Sequence, residues 1–197
     1  MEIRQPVHSE HAKTLDTKGL RRQFLVEDLF LTDSLTLTYS QIDRIVVGGI
    51  MPVTGGVGFS AELGKHTGTD FFLQRRELGL INIGGAARVV VDGETFALDA
   101  REALSVEQGA KAHESFSLDA TQPAKLYFNC APAHVAYPHR KVSLAEASPE
   151  TLGSAATSKR SSVRAGLSTV AWVPRPTPSS GAWQVRTRFS KTWTMCP

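Results

Sequence analysis

The feature that most constrains this chain is a succession of short apolar runs, each ended by a turn signal within eight to twelve residues. Ser34-Leu35-Thr36-Leu37-Thr38-Tyr39 alternates with period two, and Arg44-Ile45-Val46-Val47-Gly48-Gly49-Ile50 has the character of a buried strand. Phe71-Phe72-Leu73, Leu78–Ile83, Ala87–Val91, Thr95–Leu98, Ala103–Val106, Ser115–Leu118 and Lys125–Asn129 continue the series. Asp92-Gly93 sits between two of these runs. Both residue types tolerate positive φ, so the pair marks a tight hairpin. Nine or ten short strands with this punctuation predict an all-β sandwich or barrel. Helix signals are few. Gly19–Val26 reads as a short helix or a strand. Ser143-Leu144-Ala145-Glu146 has the capping-box pattern, and Ser148-Pro149 keeps any helix there short.

Charge divides the chain in two. Residues 1–158 hold 15 Lys/Arg against 19 Asp/Glu, whereas 159–197 hold 7 Lys/Arg, no acid and all three tryptophans. The overall charge of +3 and the pI near 9.0 therefore come from the last stretch. Its Pro/Ser content, centred on Val173–Gly181, opposes helices and inner strands. We expect a β domain over 1–158 and an unstructured basic tail over 159–197. Mean hydropathy is −0.15, and no apolar run approaches the ~20 residues of a membrane helix. Met1–Glu10 is polar and lacks the apolar core of a secretory signal. Two cysteines, Cys130 and Cys196, cannot build a disulfide framework. These features together predict a cytoplasmic protein with no membrane partner.

Motif matches are weighed against their structural readings. Gly56-Val57-Gly58-Phe59-Ser60-Ala61 fits G-x-G-x-x-A, but Met51-Pro52 before it and Leu63-Gly64 after it break the strand and helix that a dinucleotide site needs. Gly64-Lys65-His66-Thr67 lacks P-loop spacing. The six histidines are His8, His11, His66, His113, His134 and His139, and no His-x-His pair occurs. A structural or solvated role is expected for His8 and His11, and His134 and His139 flank a turn. Cys130 lies four residues from His134, the raw material of an activated thiol; a small buried cysteine at a strand end is the expected reading. Arg75-Arg76-Glu77 could grip a carboxylate, but a structural ion pair or subunit contact is expected. The basic tail with its tryptophans is too thinly charged to predict nucleic-acid binding.

Several segments together resemble one family. They are Arg4–Thr17, Ile42–Pro52, Arg75–Gly85, Tyr127-Phe128-Asn129-Cys130-Ala131-Pro132-Ala133-His134, and Ser148–Gly153. In this order, from residue 1 to about 160, they look like the 4-deoxy-L-threo-5-hexosulose-uronate ketol-isomerases of bacterial pectin degradation. The resemblance implies a chain of two cupin jelly rolls, of which this sequence holds the N-terminal one, assembled as a homo-hexamer. It implies a small sugar-acid substrate. The reaction would convert 5-dehydro-4-deoxy-D-glucuronate to 3-deoxy-D-glycero-2,5-hexodiulosonate, moving a proton between adjacent carbons through an enediol. The family's one zinc per subunit is held by a His-x-His pair, a Glu and a later His. After Arg160 this chain departs from the pattern, so no zinc ligand, catalytic residue or substrate contact transfers onto a numbered residue here. The chain is expected to bind no zinc and to be inactive alone. A sugar-acid-binding or oligomerisation module is the alternative.

The tail also reads as out-of-frame text. From the last base of the Thr192 codon, Trp193-Thr194-Met195-Cys196 becomes NTG, GAC, NAT, GTG, which forces Asp and Val and permits the family-like Met-Asp-His-Val. Sequencing the gene should reveal family-like peptide in that frame across the tail. A shifted frame holding none would refute a frameshift after an internal deletion.

Overall fold

The computed structural model describes residues 1–146 in full and, by backbone alone, 161–165, 168–174 and 183–189. The chain falls into two compact units, Met1–Lys141 and Val142–Pro197.

The first unit is organised by one long antiparallel ribbon. Its tip is the hairpin of β6 (Ala87–Val91) and β7 (Glu94–Leu98). Asp92 and Gly93 form the two-residue turn with φ of 47° and 90°, as expected of an Asp-Gly hairpin. Moving outward, β5 (Arg76–Asn82) pairs β8 (Ala103–Val106), β4 (Val57–Gly58) pairs β9 (His113–Ser117), and β3 (Ile45–Met51) pairs β10 (Leu126–Pro132). The ribbon rolls up so that its pairs alternate between two sheets. One sheet contains the order β3-β10-β5-β8 and the other is β4-β9-β6-β7. Nested pairing with alternation between sheets is a jelly roll. The sheets remain separate ladders rather than one closed barrel. The larger sheet is extended by β1 (Glu2–Arg4) and β2 (Ser34–Ser40) at one edge and β11 (Arg140–Val142) at the other.

Alternation along the strands places the core between the sheets. Val46, Ile50, Leu78, Leu80, Leu126 and Phe128 from one sheet meet Val89, Val91 and Leu98 from the other in a single apolar cluster. Each of these side chains is fully or almost fully withdrawn from solvent, which at about 25 cal/mol per Å² makes the cluster the main source of stability. Polar groups tie the ribbon's ends. The buried Asn82 amide donates to the Gly85 and Leu98 carbonyls at 2.7 and 2.9 Å and accepts from Gly84 N–H at 3.0 Å. Asp92 accepts from the backbone N–H groups of Lys111 and Ala112, which fixes the loop entering β9.

Two short helices precede the roll. In α1 (Ser9–Ala12), His8 is the N-cap and its Nδ1 accepts from Glu10 N–H. In α2 (Thr17–Phe24), Asp16 caps by accepting from Gly19 N–H at 2.7 Å. Of the Gly19–Val26 segment, Gly19–Phe24 is thus helical, and Leu25 is extended.

Phe71-Phe72-Leu73 differs from expectation, since it forms bends and turns rather than a strand. A 3₁₀ helix at Ala61–Thr67 precedes it, and the Thr67 and Thr69 hydroxyls donate to the Gly64 carbonyl, Thr69 also to Phe71. These side-chain bonds satisfy carbonyls that a ladder would otherwise use, while Phe72 and Leu73 still reach the core. At Ser143–Glu146 the capping box forms: Glu146 N–H donates to Ser143 Oγ, and Ser143 N–H donates to Glu146 Oε2. Residues 144–146 make a turn. Ser148-Pro149 lies outside the described residues.

Composition alone reads 159–197 as unstructured. Three described segments of it are extended and paired: β12 (Ser161–Ala165), β13 (Ser168–Pro174) and β14 (Trp183–Phe189) form an antiparallel sheet. The β-branched and aromatic content of Ser168–Val173 and the alternation in Trp183–Phe189 allow this. The rest of 159–197 lies outside the described residues.

Gly48 is one point where the roll has no room for a side chain. A Cβ there would collide with the Thr36 carbonyl and lie 2.5 Å from Phe128 Cζ. Gly48→Ala should destabilise the chain by about 1–3 kcal/mol, read as a lower urea midpoint at unchanged slope. An unchanged midpoint would show that the β2–β3–β10 spacing is not tight.

Candidate functional site

A cavity of about 500 Å³ opens beside β9. The segment entering β9 and β9 itself form one wall, with Lys111 and His113. Gly58–Ala61 forms another, with Phe59 and Ser60, and Phe71, Phe72, Leu73 and Val90 add apolar lining. The chain closes tightly here because glycines allow it. A Cβ on Gly58 would strike the His113 carbonyl, and one on Gly56 would strike the Glu114 carboxylate. The G-x-G-x-x-A match therefore serves the close approach of β4 to β9. The segment that follows is a 3₁₀ helix, and no strand-to-α-helix phosphate cradle exists at this motif.

His113 is the buried polar group of this site, at 5% exposure. Period-two alternation in His113–Ser117 puts it on the same face as Ser115, and its Nε2 lies 3.2 Å from Ser115 Oγ. Its ring stacks on Phe59 with centroids 4.4 Å apart and planes 21° apart. Phe59 in turn makes edge contacts with Phe72 and Phe128 at 5.1 and 5.7 Å. The Nδ1 atom is buried without a hydrogen-bond partner. Burial pulls the imidazole down to about 4, opposed in part by its own backbone. His113 is therefore neutral at pH 7. The Lys111 ammonium lies 5.9 Å from the Phe71 ring centroid, at the rim. Glu114, next along the strand, is exposed and also lines the cavity. The cavity thus combines aromatic walls with the charged side chains of Lys111 and Glu114 and one neutral imidazole.

The other sequence candidates do not converge on it. His8 caps α1, and His11, His66 and His134 are exposed. His139 Nδ1 accepts from Glu107 N–H at 3.1 Å and meets the Phe96 ring edge-on, which is structural. Cys130 is fully buried and its thiol is pushed up to about 12 by burial, so it is no thiolate nucleophile, and the structure does not pair it with His134. Arg76 is buried and donates to the Arg44 and Cys130 carbonyls at 2.8 and 3.5 Å beneath the Tyr39 ring, so it holds the sheet end through carbonyl oxygens rather than an ion pair. Burial raises the neighbouring Glu77 carboxyl above its ordinary range. Sequence reasoning counted His113 among six histidines but did not single it out. The signal was the His-x-Ser alternation immediately after the Gly109 turn.

Comparison with known proteins settles the kinship. The model of the KduI/IolB family matches residues 46–169. The 4-deoxy-L-threo-5-hexosulose-uronate ketol-isomerase of Yersinia pseudotuberculosis serotype O:1b (strain IP 31758) is 55% identical over 163 residues, covering 83% of this chain. The chain belongs to the KduI/IolB family. The protein of the same name from Yersinia pestis (strain Pestoides F) matches with the same identity and coverage. The chain spans 59% of the length of these curated relatives. Among solved structures, an IolB-like protein from Salmonella typhimurium LT2 aligns with a TM-score of 0.48 at 14% identity, covering 66% of this chain and 49% of that one. The E. coli protein Ylba aligns with a TM-score of 0.45 at 13% identity, covering 70% and 52%. No described helix is long and apolar enough to cross a membrane.

The low value at His113 sets a pH dependence. The unfolded imidazole takes a proton near 6.5 and the folded one only near 4, so protonation favours unfolding. The stabilising effect of a neutral His113 is complete above pH 6.5 and is lost as pH falls from 6.5 to 4, by on the order of 3 kcal/mol. His113→Phe, which keeps the stacking on Phe59, should flatten that part of the stability curve relative to the parent chain in urea titrations at pH 4 to 7. Identical slopes would show that His113 protonates freely in the folded state.

Proposed function

We propose that this chain carries the amino-terminal part of a ketol-isomerase acting on 5-dehydro-4-deoxy-D-glucuronate in pectin degradation, and that turnover needs protein beyond the part it shares with its relatives. The single observation behind this reading is the 55% identity over 163 residues to proteins named for that activity. The reaction shifts a proton between neighbouring carbons and stabilises an enediol, so it needs an electrophile on the carbonyl oxygen and a base at the C–H.

The zinc centre that the resemblance implies does not fit the residues in hand. The sequence has no His-x-His, and among the described residues no three His, Cys, Asp or Glu side chains converge as a metal site. The remaining work for residues 1–142 is to fold as the rolled β unit, support assembly into a homo-oligomer in the cytoplasm, and hold acid ligands. A non-catalytic module is the second reading, favoured by the neutral, weakly basic His113.

A chimera separates the two. Residues 1–142 of this chain should replace the matching segment of the Yersinia relative and leave kcat within about tenfold of that parent, while the 197-residue chain alone gives no measurable turnover. A folded chimera without activity would contradict the isomerase reading.

A further inference from the structure

We propose that copies of this chain join two-fold through the outer edge of β1, with Ile3 on the symmetry axis. β1 is the outermost strand of the seven-stranded sheet and, among the described residues, pairs only β2. The Gln41 N–H donates to the Arg4 carbonyl at 3.0 Å, so the Arg4 backbone faces β2. Backbone groups alternate in direction along a strand, which turns the N–H and C=O of Ile3 away from the sheet. Outward backbone groups of this kind are a template for a further strand. Apolar surface gathers beside them. Ile3 and Ile42 are half exposed, as are Phe24 and Leu25, and the Leu25 carbonyl accepts from Arg4 Nη1 at 2.8 Å. The charge pattern selects the occupant. Glu2 and Arg4 flank Ile3 and meet at 2.9 Å within one copy. In an antiparallel pairing centred on Ile3, each Glu2 stands opposite Arg4 of the second copy, and the two Ile3 residues exchange their N–H···O=C bonds. Moving the axis to Glu2 or to Arg4 sets like charges opposite each other, which disfavours those registers. Charges on an edge strand ordinarily repel a neighbour; the order acid, isoleucine, base instead attracts a second copy of itself. Ile3 shares a row with Tyr39, which packs against the core, so the two Ile3 side chains meet on the core-side face and the charges on the other.

The inference rests on the homo-oligomer reading given above and adds its surface, symmetry and register. The test is sedimentation velocity of the 197-residue chain, with circular dichroism to check that each variant folds. The parent chain should sediment, in a concentration-dependent way, as a species of at least twice the 21.4 kDa chain mass. Glu2→Arg and Arg4→Glu each set like charges across the axis, and each should weaken association about tenfold or more. An equimolar mixture of these two variants places opposite charges at both positions again and should recover the parent's size. The double variant Glu2→Arg/Arg4→Glu keeps the self-complementary order and should associate as the parent does, so it serves as the test should a single variant fail to fold. A parent chain that stays monomeric at about 100 µM would overturn both this proposal and the homo-oligomer reading, and would leave the isomerase reading to the chimera. Association that survives both single variants would overturn the β1 surface alone. So would folded single variants that stay apart when mixed, or a folded double variant that no longer associates.

Discussion

Everything in the first unit depends on the nesting of one antiparallel ribbon. The β6–β7 hairpin is local, but each outer pair joins residues further apart, until Val46–Ile50 meets Leu126–Cys130. That last pairing closes the roll and carries its largest loop-entropy cost. It is possible because Gly48 leaves room for the Phe128 ring. From Phe128 an aromatic column runs through Phe59 to His113, so the closure of the core and the shape of the cavity share the same side chains. A buried polar group in such a column is held in place by packing on one side and by a hydroxyl on the other. The cavity is therefore as rigid as the core that backs it.

Much of this roll is legible in the sequence because strands alternate with period two and turns need residues that accept positive φ. The Asp92-Gly93 hairpin and the strands at 34–40, 45–51 and 103–106 follow from those rules directly. The two-residue β4 is too short to show a period. The Phe71–Leu73 run misleads because an apolar trio is compatible with a buried turn once threonine hydroxyls take the carbonyls. The strands at 161–165, 168–174 and 183–189 were hidden by composition, since charge and proline content speak to solvation, not to local backbone geometry.

The site was less legible than the fold. A cavity is formed by segments far apart in sequence, and nothing local distinguishes His113 from His66 or His134 except alternation with Ser115. The cysteine and arginine that drew notice chemically turn out to be buried structural groups, Cys130 without charge support sufficient to ionise it and Arg76 spent on carbonyl oxygens. Reactive residue types in suggestive spacing carry meaning only once their burial and partners are known.

The reading proposed for this chain separates holding an acid from metal-assisted isomerisation. The family membership is secure over residues 46–169, whereas the ligand set expected of a zinc isomerase has no counterpart among the described residues. The most direct test is the zinc content of the 197-residue chain, expressed with added zinc, purified and exhaustively dialysed. The account predicts far less than one zinc per chain. One zinc per chain surviving dialysis would contradict it and locate a metal centre in this sequence.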